Sequence, residues 1–177
     1  MHWLRSNLLA LVVIAGAIPV LFLLTVTLPL SYSTAAEPSI RPVDAGETTE
    51  FGGYRWTLTA SKEFPGTGVD GNKTPLGTSL TAAIIEIRST DAAPTDQLTC
   101  DATLTDSRGR EWTDLSSPSE YGYGIADDSK SYCVLDPTEP TNLEVVFLTP
   151  PGVYDSATID VRLTSGPSTV LRFDLHR

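Results

Sequence analysis

The sequence predicts an all-β protein, a sandwich of two antiparallel sheets with one disulfide, preceded by a single N-terminal transmembrane helix. From Ala45 onward, short runs of alternating apolar and polar residues are separated by clusters of Gly, Pro, Asp and Ser, and no helical periodicity is visible. About eight such runs, with turns every 8 to 12 residues, fit two packed sheets, and a small barrel is the alternative. Before them lies a long stretch without a charge.

That uncharged stretch is the first predicted element. It runs for thirty-one residues from Ser6 to Ala36, with an apolar centre at Leu8 to Leu30. About 20 apolar residues are enough to cross a hydrocarbon core about 30 Å thick. Residues 7–31 are therefore predicted to form a transmembrane signal-anchor helix after a short cytoplasmic N-terminus, residues 1–6.

The basic residues around this segment predict its orientation. Arg5 precedes it and the next basic residue is Arg41, and positive residues stay on the cytoplasmic side. The protein is thus expected in the cell membrane, single-pass, with its C-terminal domain extracytoplasmic. A cleavable signal is the alternative, since Ser33, Ala35 and Ala36 are small, but the apolar run exceeds the roughly 7 to 15 residues of a signal peptide's core.

Three small residues inside the segment, Ala15, Gly16 and Ala17, form a candidate helix-contact patch. Small side chains let two helices approach closely in a bilayer. Such residues are also common in transmembrane helices that have no partner, so the pattern leaves both interpretations open.

After the segment, residues 32–45 are predicted to form a juxtamembrane stalk, and residues 46–177 an extracytoplasmic β-sandwich domain. Gly52 and Gly53 predict a two-residue hairpin turn, and the run from Leu80 to Ile87, apolar on both faces, predicts a central strand. The last two strands are expected to pair with each other. Strands are predicted, in chain order, at Thr48–Phe51, Tyr54–Ser61, Leu80–Ile87, Cys100–Leu104, Glu111–Thr113, Asn142–Leu148, Ala157–Thr164 and Leu171–His176.

Charge and cysteine content limit the possible partners. All 22 acidic residues but only 11 of the 12 basic ones follow the uncharged stretch, so the exported part carries a formal charge of −11. Nucleic acid and anionic lipid are bound through Lys and Arg clusters, so nucleic acid is excluded as a partner. Cys100 and Cys133 lie in the exported part, where an oxidising compartment favours one disulfide between them. A redox or metal pair would need a closer spacing.

The sequence predicts no catalytic residue, no metal and no cofactor. Its two histidines, His2 and His176, lie at the ends of the chain, which leaves no base for a nucleophilic triad. The carboxylates Asp101 and Asp106 are interpreted as solvated charges, because neighbouring strand positions face opposite ways. Oxygen ligands for calcium are plentiful, so a calcium-dependent or carboxylate-dependent module stays an alternative, with candidate loops at 70–72 and 127–129.

The most suggestive binding segment is a loop within the predicted disulfide ring. Tyr121 and Tyr123 alternate there with glycines, and tyrosines on an adaptable backbone offer large amphipathic contact areas. With the nearby Asp127 and Asp128 they form the candidate binding loop. The alternative interpretation is that these tyrosines pack back onto the sandwich.

Four segments match a recurring pattern of turn and core residues. They are Ala45–Thr48 with Gly52–Leu58 for an opening hairpin, Leu80–Ser89 for a central strand, Leu104–Trp112 for an "L-x-D-x-x-G-x-x-W/Y" hairpin, and Val146–Pro150 for a late strand. In these segments the chain resembles a family of exported bacterial immunoglobulin-like domains of unknown function, which includes lipoproteins and a secreted immunoprotective antigen. The resemblance implies an immunoglobulin-like extracytoplasmic β-sandwich without assigned catalytic residues. Unlike the lipoprotein members, this chain has no cysteine directly after its hydrophobic segment.

These observations favour a non-enzymatic, membrane-anchored binding or assembly module of the bacterial cell envelope. Its expected partners are the membrane, through the N-terminal helix, and a protein or envelope component of unknown identity. An accessory subunit of a membrane complex, held by the transmembrane helix, is the second hypothesis.

Overall fold

The computed structural model divides the chain into two compact units, Met1–Glu37 and Pro38–Arg177. It describes residues 8–22, 38–66, 73–93, 97–164 and 168–175. The predicted cytoplasmic N-terminus, the calcium candidate at 70–72 and His176 therefore lie outside the described residues.

The N-terminal unit contains helix α1, Leu8–Phe22, with Pro19 inside it. Ala15, Gly16 and Ala17 lie on this helix and are exposed. Within the described ranges, no helix combines the length and the hydropathy that crossing a membrane requires. The transmembrane helix predicted over 7–31 stays a prediction, because residues 23–31 lie outside the described part.

The second unit is built from two sheets, in agreement with the predicted sandwich. Sheet A has the strand order β1-β11-β10-β5-β6, with β8 also pairing β5, and sheet B has the order β2-β3-β4-β9-β7. The strands are β1 (Ser39–Val43), β2 (Thr48–Phe51), β3 (Tyr54–Pro65), β4 (Ser79–Ser89), β5 (Leu98–Asp106), β6 (Glu111–Thr113), β7 (Ser129–Lys130), β8 (Val134–Leu135), β9 (Thr141–Thr149), β10 (Ala157–Leu163) and β11 (Thr169–Asp174).

The core lies between the sheets and is filled by the inward-facing residues of the alternating strands. Trp56 and Phe147 of sheet B and Ile159 and Phe173 of sheet A are fully buried within one cluster. Because each such side chain contributes roughly 1.5–3 kcal/mol when buried, this shared cluster is what holds the sheets face to face. A barrel is thereby excluded for the described residues.

The turn between β2 and β3 forms as predicted. Gly52 and Gly53 have φ angles of 61° and 83°, in the left-handed region that glycine adopts without strain. A Cβ on Gly53 would also lie 2.6 Å from the carbonyl oxygen of Ala92. Both the backbone conformation and the close approach therefore require glycine at this position.

Two predictions about the sandwich need correction. It is not wholly antiparallel, because β1 pairs in parallel with β11 and β7 in parallel with β9. The stalk does not extend to residue 45, because Ser39–Val43 form an edge strand and Val43 is 2% exposed in the core. Pro42 is compatible with this edge strand, since its missing N–H breaks no ladder there.

The predicted disulfide is present and joins Cys100 to Cys133. Cys100 lies on β5, and Cys133 directly precedes β8, which pairs with the start of β5. The bond therefore ties the segment between β7 and β8 to sheet A.

Candidate functional site

The predicted binding loop packs back onto the sandwich. Its segment crosses from sheet A to the outer face of sheet B, beginning where the backbone N–H of Leu115 donates to Val146 at 2.8 Å. We call residues 115–126 the strap. Four partly buried side chains of the strap cover an apolar patch formed by Leu80, Ala82 and Val146: they are Leu115, Tyr121, Tyr123 and Ile125.

A buried carboxylate holds the strap in place. Glu144, on β9, is 3% exposed and accepts hydrogen bonds from the hydroxyl of Tyr123 at 2.7 Å and from the backbone N–H of Ala126 at 3.0 Å. The Tyr123 ring also meets Phe64 edge-on, with centroids 5.4 Å apart. Burial, and then the contact with Glu144, raise the pKa of Tyr123, so the phenol stays a donor at physiological pH.

The acidic half of the predicted loop behaves differently. Asp127 and Asp128 are exposed, and Asp128 accepts a 3.3 Å hydrogen bond from Asn142. The structure thus separates the packed tyrosines from the solvated carboxylates, so the four residues do not form one presented surface. Across the described ranges, no three His, Cys, Asp or Glu side chains come together as a metal site would require.

The outer face of sheet A presents exposed polar side chains, in contrast to the strapped part of sheet B. Its outward side chains are polar and form neighbouring rows across three strands, because the antiparallel register places Thr103 beside Asp160 and Asp101 beside Arg162. The rows consist of Thr158, Asp160 and Arg162 on β10, Asp101, Thr103 and Thr105 on β5, and Glu111 and Thr113 on β6.

A cavity of about 250 Å³ opens on this face. We call it the acidic groove, and its lining consists of Asp101, Thr103, Glu111, Asp160, Arg162 and Val170. Asp160 is already compensated, since its two carboxylate oxygens each accept a 2.7 Å hydrogen bond from Arg172. That contact raises the pKa of Arg172. Asp101 and Glu111 are exposed and, within the described residues, are in no ion pair.

A second depression adjoins the acidic groove at the edge of the sheet. Its volume is about 500 Å³, it shares Thr103 and Glu111 with the groove, and its other lining residues are Trp112, Thr113, Leu115 and Leu148. The Arg110 guanidinium lies 5.3 Å from the Trp112 ring centroid, and Trp112 also packs against the core between the sheets. The second depression is therefore more apolar than the acidic groove that it adjoins.

The carboxylates around β5 have three different roles. Asp106 is buried at the turn after β5 and accepts hydrogen bonds from the backbone N–H groups of Arg108 and Arg110 and from the Arg110 guanidinium. Burial alone would raise the pKa of Asp106, but these bonds outweigh it and lower the pKa. Asp114 has a raised pKa, from burial and then from the charge of Asp101. Asp101 itself faces the acidic groove.

Part of this site could be anticipated from the sequence. The alternation of β10 already places Asp160 and Arg162 outward, and Asp101 was among the candidate carboxylates. Glu111 was missed as a site residue. The Leu104–Trp112 hairpin places it opposite Thr105, but its position near Asp160 also depends on the long-range register of β5 with β10, which no local pattern encodes.

Comparison with known proteins supports the fold. No family model and no curated protein matches the chain. Among solved structures, the yjhA protein from Bacillus subtilis superposes with a TM-score of 0.51 at 12% identity, covering 75% of this chain and 99% of that one. An uncharacterized β-sandwich protein from Clostridium difficile 630 gives 0.47 at 13% identity, covering 80% and 98%. At such identities the likeness to the yjhA protein concerns the fold alone.

Proposed function

We propose that this protein is a non-enzymatic binding module of the bacterial cell envelope, anchored by residues 7–31 and binding its partner on the outer face of sheet A. The observation that carries the proposal is the contrast between the two outer faces. The apolar patch of sheet B is covered by the strap, whereas Asp101, Glu111 and Arg162 of sheet A are exposed around a cavity.

The chemistry of this face suits binding rather than catalysis. The cavity carries one carboxylate neutralised by Arg172 and two that are solvent-exposed, and general acid catalysis needs a carboxyl held protonated near neutral pH. Both cysteines are consumed in the disulfide. A set of hydroxyls and charges on a rigid sheet is instead a preorganised recognition surface.

The proposal includes the location of the module, outside the cell membrane and attached to it. The uncharged stretch supports an anchor, and the disulfide suits an oxidising compartment. The motifs around the opening hairpin and the central strand resemble those of exported immunoglobulin-like domains, which supports an extracytoplasmic location. Intact-mass spectrometry of the protein from purified membranes tests the anchor, because a chain cleaved after Ala36 would contradict it.

The binding face can be tested in intact cells by site-specific photocrosslinking. Thr113 is exposed and lines the second depression, so a Thr113→benzoylphenylalanine variant places the crosslinker beside the acidic groove. The matched control is Ser119→benzoylphenylalanine, at an exposed position on the strap. A recurrent adduct with one envelope component at position 113, absent at position 119, is expected. No adduct at 113, or the same adducts at both positions, would overturn the proposal.

An accessory subunit of a membrane complex is the second candidate. It is favoured by the exposure of Ala15, Gly16 and Ala17 on α1, where a Cβ on Gly16 would meet no atom within 4 Å. A Gly16→Leu variant should then lose co-purification with its complex, while Val20→Leu, at an exposed position on the same helix, should retain it. Equal recovery with both variants would reject this candidate.

A further inference from the structure

Resting on the proposed function, we propose that the outer face of sheet A binds an extended segment of a partner protein that carries lysine or arginine side chains. The segment would lie along the edge strand β6 and direct its basic side chains into the acidic groove. Two independent features support this partner: the charge of the groove and the position of β6.

The negative charge of the acidic groove favours a partner with positively charged side chains. Asp101 and Glu111 are in no ion pair within the described residues, and Asp114 adds negative charge near Asp101. Among the described residues that line the groove, Arg162 is the one basic side chain. A ligand that covers this face removes water from both free carboxylates, and desolvating an unpaired charge is costly unless the ligand supplies the opposite charge.

The position of β6 at the edge of sheet A favours a polypeptide as the partner. β6 is the last strand of sheet A on this side, and an edge strand presents backbone N–H and C=O groups that can pair with another strand. Glu111 and Thr113 are exposed on β6. Alternate residues of an added strand share one face, so basic residues at every second position would all point toward the groove.

Other ligand classes fit this face less well. A neutral glycan would leave Asp101 and Glu111 uncompensated, and an anionic polymer would be repelled by the domain, whose residues 38–177 include 21 acidic and 11 basic ones. A single metal ion is not favoured, because no three His, Cys, Asp or Glu side chains among the described residues are grouped closely enough to hold one. These classes become the comparison arms of the test.

The test uses the full chain in a nonionic detergent and isothermal titration calorimetry. The probes are three peptides that differ in charge, (Lys-Thr)₄, (Gln-Thr)₄ and (Glu-Thr)₄, together with neutral maltohexaose. Binding of the lysine peptide alone is expected, weakening as salt is raised from 50 to 500 mM. Amide hydrogen exchange should slow at residues 111–113 when that peptide binds.

Two groove variants with opposite expected effects keep the test independent of folding defects. Asp101→Asn with Glu111→Gln should weaken lysine-peptide binding about tenfold or more, while Arg162→Gln should tighten it. The matched controls are Asp127→Asn with Glu139→Gln for the first variant and Arg108→Gln for the second, all at exposed positions. These controls change the net charge equally outside the groove.

The proposal is overturned if the lysine peptide does not bind, if the glutamine peptide binds as tightly, or if groove and control variants behave alike. Binding of maltohexaose in place of the lysine peptide would also overturn it. None of these results affects the crosslink expected from position 113. The crosslinking experiment therefore tests the proposed binding face independently of the chemistry of its partner.

Discussion

The hydroxyl of Tyr123 donates a 2.7 Å hydrogen bond to Glu144, a carboxylate that is 3% exposed on the outer face of sheet B. The backbone N–H of Ala126 satisfies the other oxygen at 3.0 Å. A buried charge is tolerated only when it is hydrogen-bonded. The strap and the carboxylate therefore depend on each other, and the apolar patch beneath the strap stays covered.

Tyr123→Phe should destabilise the domain by about 1–2 kcal/mol, because it removes one hydrogen bond to a charged, buried acceptor while keeping the ring. Urea denaturation measures the change. Tyr132→Phe is the matched control, since Tyr132 is 61% exposed, and its free energy of unfolding should not change. Equal effects of the two substitutions would contradict the role assigned to the strap.

Asp106 should make the domain sensitive to acid. Hydrogen bonds hold its folded pKa below the ordinary value of 3.8, so the ionised form stabilises the fold above that value and the contribution is lost as pH falls through the folded pKa. Asp106→Asn should therefore lower Tm at pH 7, and its difference from the wild type should shrink below about pH 4. A difference that is constant between pH 7 and pH 2.5 would refute this assignment.

Asp114→Asn should change Tm in the opposite direction from Asp106→Asn. Burial and the nearby Asp101 raise the folded pKa of Asp114 above 3.8, so its ionised form costs stability at neutral pH. Removing the charge should raise Tm at pH 7 by about 1–3 °C. The increase in Tm should become smaller as acid protonates Asp114 in the wild type. Scanning calorimetry of both proteins across pH measures this change. A lower Tm for the variant would contradict the prediction.

Removing the disulfide should be the most destabilising change of the set. Cys100 and Cys133 are separated by 33 residues, and a closed loop of this length contributes about 4 kcal/mol on the chain-entropy model. Cys100→Ala with Cys133→Ser should lower the urea concentration at the midpoint of unfolding. Reduction of the wild-type disulfide should lower it by a similar amount. An unchanged midpoint would show that the bond is dispensable.

The start of the folded domain can be tested by truncation. A chain beginning at residue 38 keeps β1, whereas a chain beginning at residue 46 loses Val43 from the core and exposes the edge of β11. The shorter chain should be less stable by about 2 kcal/mol or more and should aggregate through its uncovered strand. Equal unfolding midpoints and equal monomer content in size-exclusion chromatography would contradict this boundary.

How far the sequence predicts this structure depends on the range of each interaction. The β2–β3 hairpin, the disulfide and the inward faces of β10 and β11 follow from local alternation, glycine pairs and cysteine count. The strand character of Ser39–Val43 does not, because it depends on a partner about 130 residues away, as in the pairing of Ser39 with Thr169. The strap likewise depends on Glu144, whose burial no alternating pattern signals.

The pairing of β1 with β11 also has a mechanical consequence. Tension applied to the chain ahead of Ser39 enters the domain at β1, which is held to β11 by five parallel register pairs from Ser39–Thr169 to Val43–Phe173. A pull along the strand axis loads these pairs in shear, so they must yield together rather than peel apart one at a time. The first strand of the domain is thus arranged to resist tension applied along the chain ahead of Ser39.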